Sequence, residues 1–253
     1  MQVVGYDRAS EPGDVAALRV ASDGTVDRIR LAPGDDLAYR LGARHCAGSV
    51  DADGHHACPV SDAPYCPDHV DRWPCAVCTG ECAMPLDSCH EEHAIYLAAF
   101  APTTFKVGVT RSWRLETRLR EQGADRAAHL RTVDDGRIAR QIEADIATDV
   151  GDRVRVPSKI RGFHESVDDE GWAALLEKYD PIDTFAFDYG FALSEQPMRE
   201  TLVTGEIVGT KGRVLVLSYN GSTYAVDMRS LVGYELESGR TDRNLQASLG
   251  AFG

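Results

Sequence analysis

Seven cysteines, Cys46, Cys58, Cys66, Cys75, Cys78, Cys82 and Cys89, fall between positions 46 and 89 of a chain of 253 residues. Cys75-x2-Cys78 is the tight turn that sets two thiolates on one tetrahedral ion, and Cys82 and Cys89 complete a four-cysteine set. Cys66-Pro67-Asp68-His69 has the same spacing with imidazole as the second ligand, and Cys46 and Cys58 complete three Cys and one His. Seven thiols and His69 make eight donors, enough for two closed zinc tetrahedra. A single ion is the other arrangement, because His45, His55, His56, His90 and His93 are substitute ligands. An iron–sulfur cluster would also accept four thiolates. A site saturated with thiolates leaves no open position for water, so a structural role is expected. The ion would fold a segment that has too little apolar periodicity to fold itself. Reduced thiols packed as small hydrophobes would leave the paired spacings unexplained.

The elements around this segment divide the chain into four expected regions. Residues 1–45 read as strands: ALRVASDGTVDRIRL alternates about a Ser-Asp-Gly turn and predicts a hairpin. Residues 46–90 are the cysteine-rich segment. Residues 91–180 are mixed, with AIYLAAF and TFKVGVT as a second hairpin. A helix follows, with Leu115 and Leu119 four apart and Gly123 as its stop. AHLRTV predicts a third strand. A helix over about 136–148 carries Ile138, Ile142 and Ile146 on one stripe, and EGWAALLEKY predicts another helix. Residues 181–253 return to strands, with Lys-Gly and Asn-Gly turns between apolar runs. The expected class is α+β, with the two terminal β regions packed together.

The charge is acidic and unusual in kind. The chain carries 25 Asp and 15 Glu against 23 Arg and only 4 Lys, a net of −13. A salt-rich cytoplasm selects this pattern, which points to a halophilic archaeon, although a GC-rich genome gives a similar bias. Residues 101–161 depart from it, with thirteen Arg or Lys against nine Asp or Glu. A basic island in an acidic chain is a candidate nucleic-acid surface. No run of eighteen apolar residues occurs, so no transmembrane helix is expected. The start, MQVVGYDRASEPGD, lacks a basic and apolar leader, so the expected address is the cytoplasm.

HAIYLAAF, FKVGVT, an Arg-bearing helix and a helix with Glu143 together resemble the GIY-YIG nuclease superfamily. Ala94-Ile95-Tyr96 stands where GIY would be and Lys106-Val107-Gly108 where YIG would be. The cysteine-rich stretch, HAIYLA, KVGVTR, TRLREQGA and the late GTKGRVLVL and DMRSLVGYEL segments are similar to a domain-of-unknown-function family of bacteria and archaea. That similarity spans most of the chain and again suggests a GIY-YIG-like core. The resemblance implies phosphodiester cleavage with one divalent ion, Mg2+ or Mn2+, held at Glu143. It implies Tyr96 as base or relay and Arg118 as the cation that offsets transition-state charge. Lys106 replaces the second tyrosine, and Gln122 stands where His is common. As plain structure, Tyr96 is a core aromatic, Arg118 a partner for Glu121 or Asp125, and Glu143 a solvated helix residue.

Three functions follow. The chain is a zinc-containing endonuclease on DNA or RNA. Or it grips nucleic acid without cutting, through Arg111, Arg114, Arg120, Gln122, Arg137 and Arg140 beside Arg118. Or the zinc region is a contact surface for another protein.

Overall fold

The computed structural model describes residues 1–70 and 87–241. Strand β1 (Gln2–Asp7) runs antiparallel to β2 (Ala17–Ser22), which forms a hairpin with β3 (Thr25–Arg30). This is the first expected hairpin. Asp23 and Gly24 take positive φ, 51° and 81°, as a two-residue turn that matches strand twist requires. Strand β4 (Asp36–Arg44) leads into the cysteine-rich segment, which holds a short hairpin of β5 (Ser49–Asp51) and β6 (Gly54–His56).

The central region opens with β7 (His93–Phe100) and β8 (Thr104–Arg111), paired in register from His93↔Arg111 to Phe100↔Thr104. Helix α1 (Leu115–Gln122) ends at Gly123, whose φ of 71° gives the left-handed cap expected of that glycine. Then come β9 (Arg126–Val133), α2 (Gly136–Val150), α3 (Val156–Arg161), α4 (Asp169–Tyr179) and β10 (Asp183–Ala186). The sheet order is β10-β9-β7-β8, antiparallel throughout, so β8 is an edge. Alternation along β7 divides its side chains between two cores. Ala94, Tyr96, Ala98 and Phe100 pack with Leu115 and Leu119 of α1. Ile95, Leu97 and Ala99 pack with Ala139, Ile142 and Ile146 of α2 and with Trp172 of α4. The isoleucine stripe is shorter than its sequence pattern: Ile138 is 49% exposed, in the first turn of α2.

The chain then forms β11 (Met198–Arg199), β12 (Val203–Lys211), β13 (Val214–Tyr219), β14 (Ser222–Asp227), α5 (Met228–Leu231) and β15 (Tyr234–Ser238). The terminal β regions do pack together, and more intimately than as two stacked units. They share one nine-stranded sheet of order β11-β14-β13-β12-β4-β15-β1-β2-β3, with β4 between β12 and β15. All its pairs are antiparallel except β11 with β14. The class is α+β. The central unit is seated on this sheet through α1. Lys211 bonds Asp125, Arg8 reaches Glu121 at 3.3 Å, and the backbone of Gly123 comes too close to Gly212 for a Cβ on the latter. No helix among the described residues is long and apolar enough to cross a membrane.

Candidate metal centre and basic cleft

Cys46, Cys58, Cys66 and His69 converge, with their four donor atoms all within 4.8 Å of one another. Cys58 Sγ lies 4.0 Å from Cys66 Sγ, and His69 Nδ1 lies 3.1 Å from Cys66 Sγ and 3.5 Å from Cys46 Sγ. A zinc tetrahedron needs donor separations of about 3.8 Å between sulfurs and about 3.6 Å between sulfur and nitrogen. The cluster is therefore compatible with a structural zinc ion. Local structure builds it. Gly48, at φ 66°, lets its own N–H turn onto Cys46 Sγ at 3.4 Å, and the Cys66 N–H donates to the same sulfur at 3.3 Å. Burial pushes the Cys46 thiol up, but these amide donors together with the Cys66 and Cys58 thiols hold it below its ordinary value, toward the thiolate a metal takes. Cys66 to His69 is a turn closed by His69 and Val70 N–H on the Cys66 carbonyl, each at 3.0 Å. Among the described residues, the three cysteines form the one buried cluster this segment has of its own. Buried Gln2 ties it to the large sheet, donating to the Cys46 carbonyl at 3.2 Å and the Gly233 carbonyl at 3.1 Å. Cys75, Cys78 and Cys82 lie outside the described residues; their expected partner Cys89 is half-buried in a short turn, Asp87–His90.

A second site is a cleft of about 500 Å³ along the β8 edge, between α1 and α2. It gathers Tyr96, Lys106, Arg118 and Glu143 with Arg111, Arg114, Arg137 and Arg140. Cys89, His93, Asp152 and Arg153 line it as well. The β7–β8 register sets Tyr96 opposite Gly108. The tyrosine ring lies across that glycine, where any Cβ would collide with it. Tyr96 is both a core aromatic, 1% exposed, and a cleft residue: its hydroxyl accepts a 2.5 Å hydrogen bond from Gln122 Nε2. The Lys106 ammonium stands 5.9 Å from the ring centre.

Arg118 pairs with Glu121 at 3.6 Å, as its plain structural reading expects. Glu121 also takes Arg114 at 3.2 Å and Arg8 at 3.3 Å, so one carboxylate aligns three guanidiniums. Glu143 is not a solvated helix residue; its side chain is 13% exposed and held by Arg140 at 2.6 Å. Arg120 does not join the cleft. It pairs with Glu116 at 3.2 Å and lies over Phe187.

An adjoining cleft of about 440 Å³ shares Arg118 and adds Arg8, Arg155, Lys159, Lys211 and Arg213. Sequence reasoning did not single out these five, nor Asp152 and Arg153. Arg8 follows β1, Asp152, Arg153 and Arg155 lie between α2 and α3, Lys159 is in α3, Lys211 ends β12 and Arg213 precedes β13, and no spacing rule connects those segments. Lys159 is the most perturbed of them. Its Nζ donates to the Gln122 carbonyl at 2.6 Å and sits 4.2 Å from the Phe100 ring centre. Burial, then the charges of Lys106, Arg213, Arg118 and Lys211, hold its pKa down to about 7. The unfolded chain titrates this lysine near 10.5, so between those values it binds more protons than the folded chain. Folding stability should therefore rise with pH from about 7 upward. Urea midpoints at successive pH values should show this rise in the wild type and a flatter profile in Lys159→Met. Identical profiles would exclude the lysine as the cause.

Residues 74–189 match a family model described as "Protein of unknown function (DUF2797)". No curated protein and no solved structure matches the chain. The matched span is narrower than the similarity read from the sequence. It contains every residue of the β8 cleft, from Cys89 to Arg153. The Cys46, Cys58, Cys66 and His69 centre and the basic residues Arg8, Lys211 and Arg213 lie outside it.

Proposed function

We propose that the β8 cleft binds the phosphodiester backbone of a nucleic acid and cleaves it, with Mg2+ or Mn2+ held at Glu143. One observation carries this reading: twelve of the chain's 27 Lys and Arg line the two adjoining clefts, against four carboxylates. In a chain of net charge −13, that concentration matches a polyanion. The order of hairpin, Arg-bearing helix, strand and Glu-bearing helix supports a GIY-YIG-like core. Residues 91–180, joined by Asp183–Ala186, are then the catalytic unit, carried by residues 1–45 and 181–253 and stiffened by zinc in residues 46–90.

Within the cleft, each side chain has a distinct task. The Tyr96 hydroxyl accepts from Gln122 and keeps a second lone pair to take a proton from the attacking water, while its own hydrogen passes to a phosphoryl oxygen. Lys106 and Arg118 offset charge on the phosphoryl oxygens. The divalent ion, when bound at Glu143, supplies Lewis-acid polarisation of the phosphate. A second reading, binding without cutting, is favoured by the Arg140–Glu143 pair, which competes for the same carboxylate.

Binding of a labelled single-stranded oligonucleotide to the full chain, measured across a KCl series, tests the shared claim. Arg118→Ala should weaken binding at low salt and lower the salt slope by about 0.7 to 1. Unchanged affinity and slope would remove the cleft from nucleic-acid recognition.

A further inference from the structure

The turn Ser112–Arg114 joins β8 to α1 and carries Trp113 between Arg111 and Arg114, which line the cleft. At 71% exposure it is the most exposed large apolar side chain among the described residues. Trp172, by contrast, is 5% exposed and stacked on Phe105. The Trp113 ring is tethered by its edge: Nε1 donates to Glu91 Oε2 at 3.3 Å, and that carboxylate also takes Arg111 at 3.5 Å. Arg111 and Arg114 each hold a guanidinium carbon 5.8 Å from the ring centre, and both line the cleft. An indole held by its edge and largely open to water offers a flat face that gains from being covered. The flanking guanidiniums narrow what can cover it. Each guanidinium already holds one carboxylate, Glu91 for Arg111 and Glu121 for Arg114, and an apolar protein surface would strip water from their remaining N–H donors without supplying acceptors. A nucleobase stacks on the ring while its own phosphates supply the anions.

We propose that Trp113 is a base-stacking platform and that the cleft takes single-stranded nucleic acid, or an unpaired end or loop. This rests on reading the cleft as a nucleic-acid site. Bases inside a duplex are stacked on one another and have no free face to give. An unpaired base on Trp113 leaves its adjacent phosphates beside Arg111 and Arg114, at the entrance to the cleft.

The test uses the full chain, an oligothymidylate of about twelve nucleotides and a duplex of the same length. The single strand should quench tryptophan emission, and Trp113→Phe should remove that quenching while retaining most of the affinity. Trp113→Ala should weaken single-strand binding about tenfold or more and leave duplex binding unchanged. The side chain is exposed, so the variant folds, and far-ultraviolet circular dichroism checks it. Undiminished single-strand affinity in Trp113→Ala would overturn the platform, and a loss still seen with Arg118→Ala would leave the cleft reading standing. Equal loss for single strand and duplex would overturn the single-strand assignment. Binding insensitive to both variants would overturn the platform and the cleft reading together.

Discussion

Glu143→Ala abolishes cleavage by at least about a hundredfold and leaves binding intact, if the cleft works as proposed. A Lewis-acid cation contributes several kcal/mol to a phosphoryl transition state, and each ~1.4 kcal/mol is a factor of ten. Glu143 and Asp152 are the two carboxylates that line the cleft, and Glu143 is the one held within it by Arg140 at 2.6 Å. Glu143→Gln should fail nearly as badly, because a neutral amide keeps the shape but is a poor ligand for a hard divalent ion. Binding should hold or tighten, since losing the carboxylate frees Arg140 for phosphate. Single-turnover assays with Mg2+ or Mn2+ at saturating enzyme separate the two effects. Equal rates in wild type and Glu143→Ala would take the metal away from Glu143. A wild type that binds and never cuts would leave the second reading, in which Arg140 keeps the carboxylate.

Zinc removal should have the largest effect on stability. Structural zinc sites contribute apparent free energies of about 10 kcal/mol or more in small domains, comparable with the whole stability of a typical fold. Among the described residues, the segment around Cys46, Cys58, Cys66 and His69 adds Ala47 and Tyr65 to the large core and otherwise clusters only its thiols, so little remains to hold it once the ion is gone. Cys66→Ser should lower the zinc content by one ion per chain and the melting temperature by about 10 °C or more. His69→Cys should retain the ion, because four thiolates make an equally good tetrahedron. Plasma emission spectrometry and thermal melts read both. Unchanged zinc content and melting temperature in Cys66→Ser would contradict the centre.

The features legible in the sequence are those that short-range rules fix. Asp23-Gly24 is a turn because both residues tolerate positive φ. The Cys66 to His69 spacing closes a turn that aims both ligands at one point. Tyr96 meets Gly108 because a tight connection fixes the hairpin register. The position of Arg120 was also within reach. It is two residues from Arg118, about 200° around the helix, whereas Arg114, Arg118 and Gln122 are spaced by four along one stripe. Glu143 fits the same arithmetic, at the border of the face marked by Ile142. What escaped is non-local. Strand β10 adds to β9 from more than fifty residues away. Lys159 meets Arg118 and Arg213 only after α3 docks on β13 and β14. The first turn of α2 leaves Ile138 in solvent despite its helical spacing.

If nucleic acid occupies the β8 cleft, photo-crosslinking will locate it there. An oligonucleotide carrying 4-thiothymidine would be irradiated with the full chain, and the adducts mapped by mass spectrometry. Adducts are expected on Trp113 and on peptides from β8, α1 and the first half of α2, reduced by unlabelled single strand. Adducts confined to residues 1–70 or to β11–β15, with none in those peptides, would contradict that occupancy.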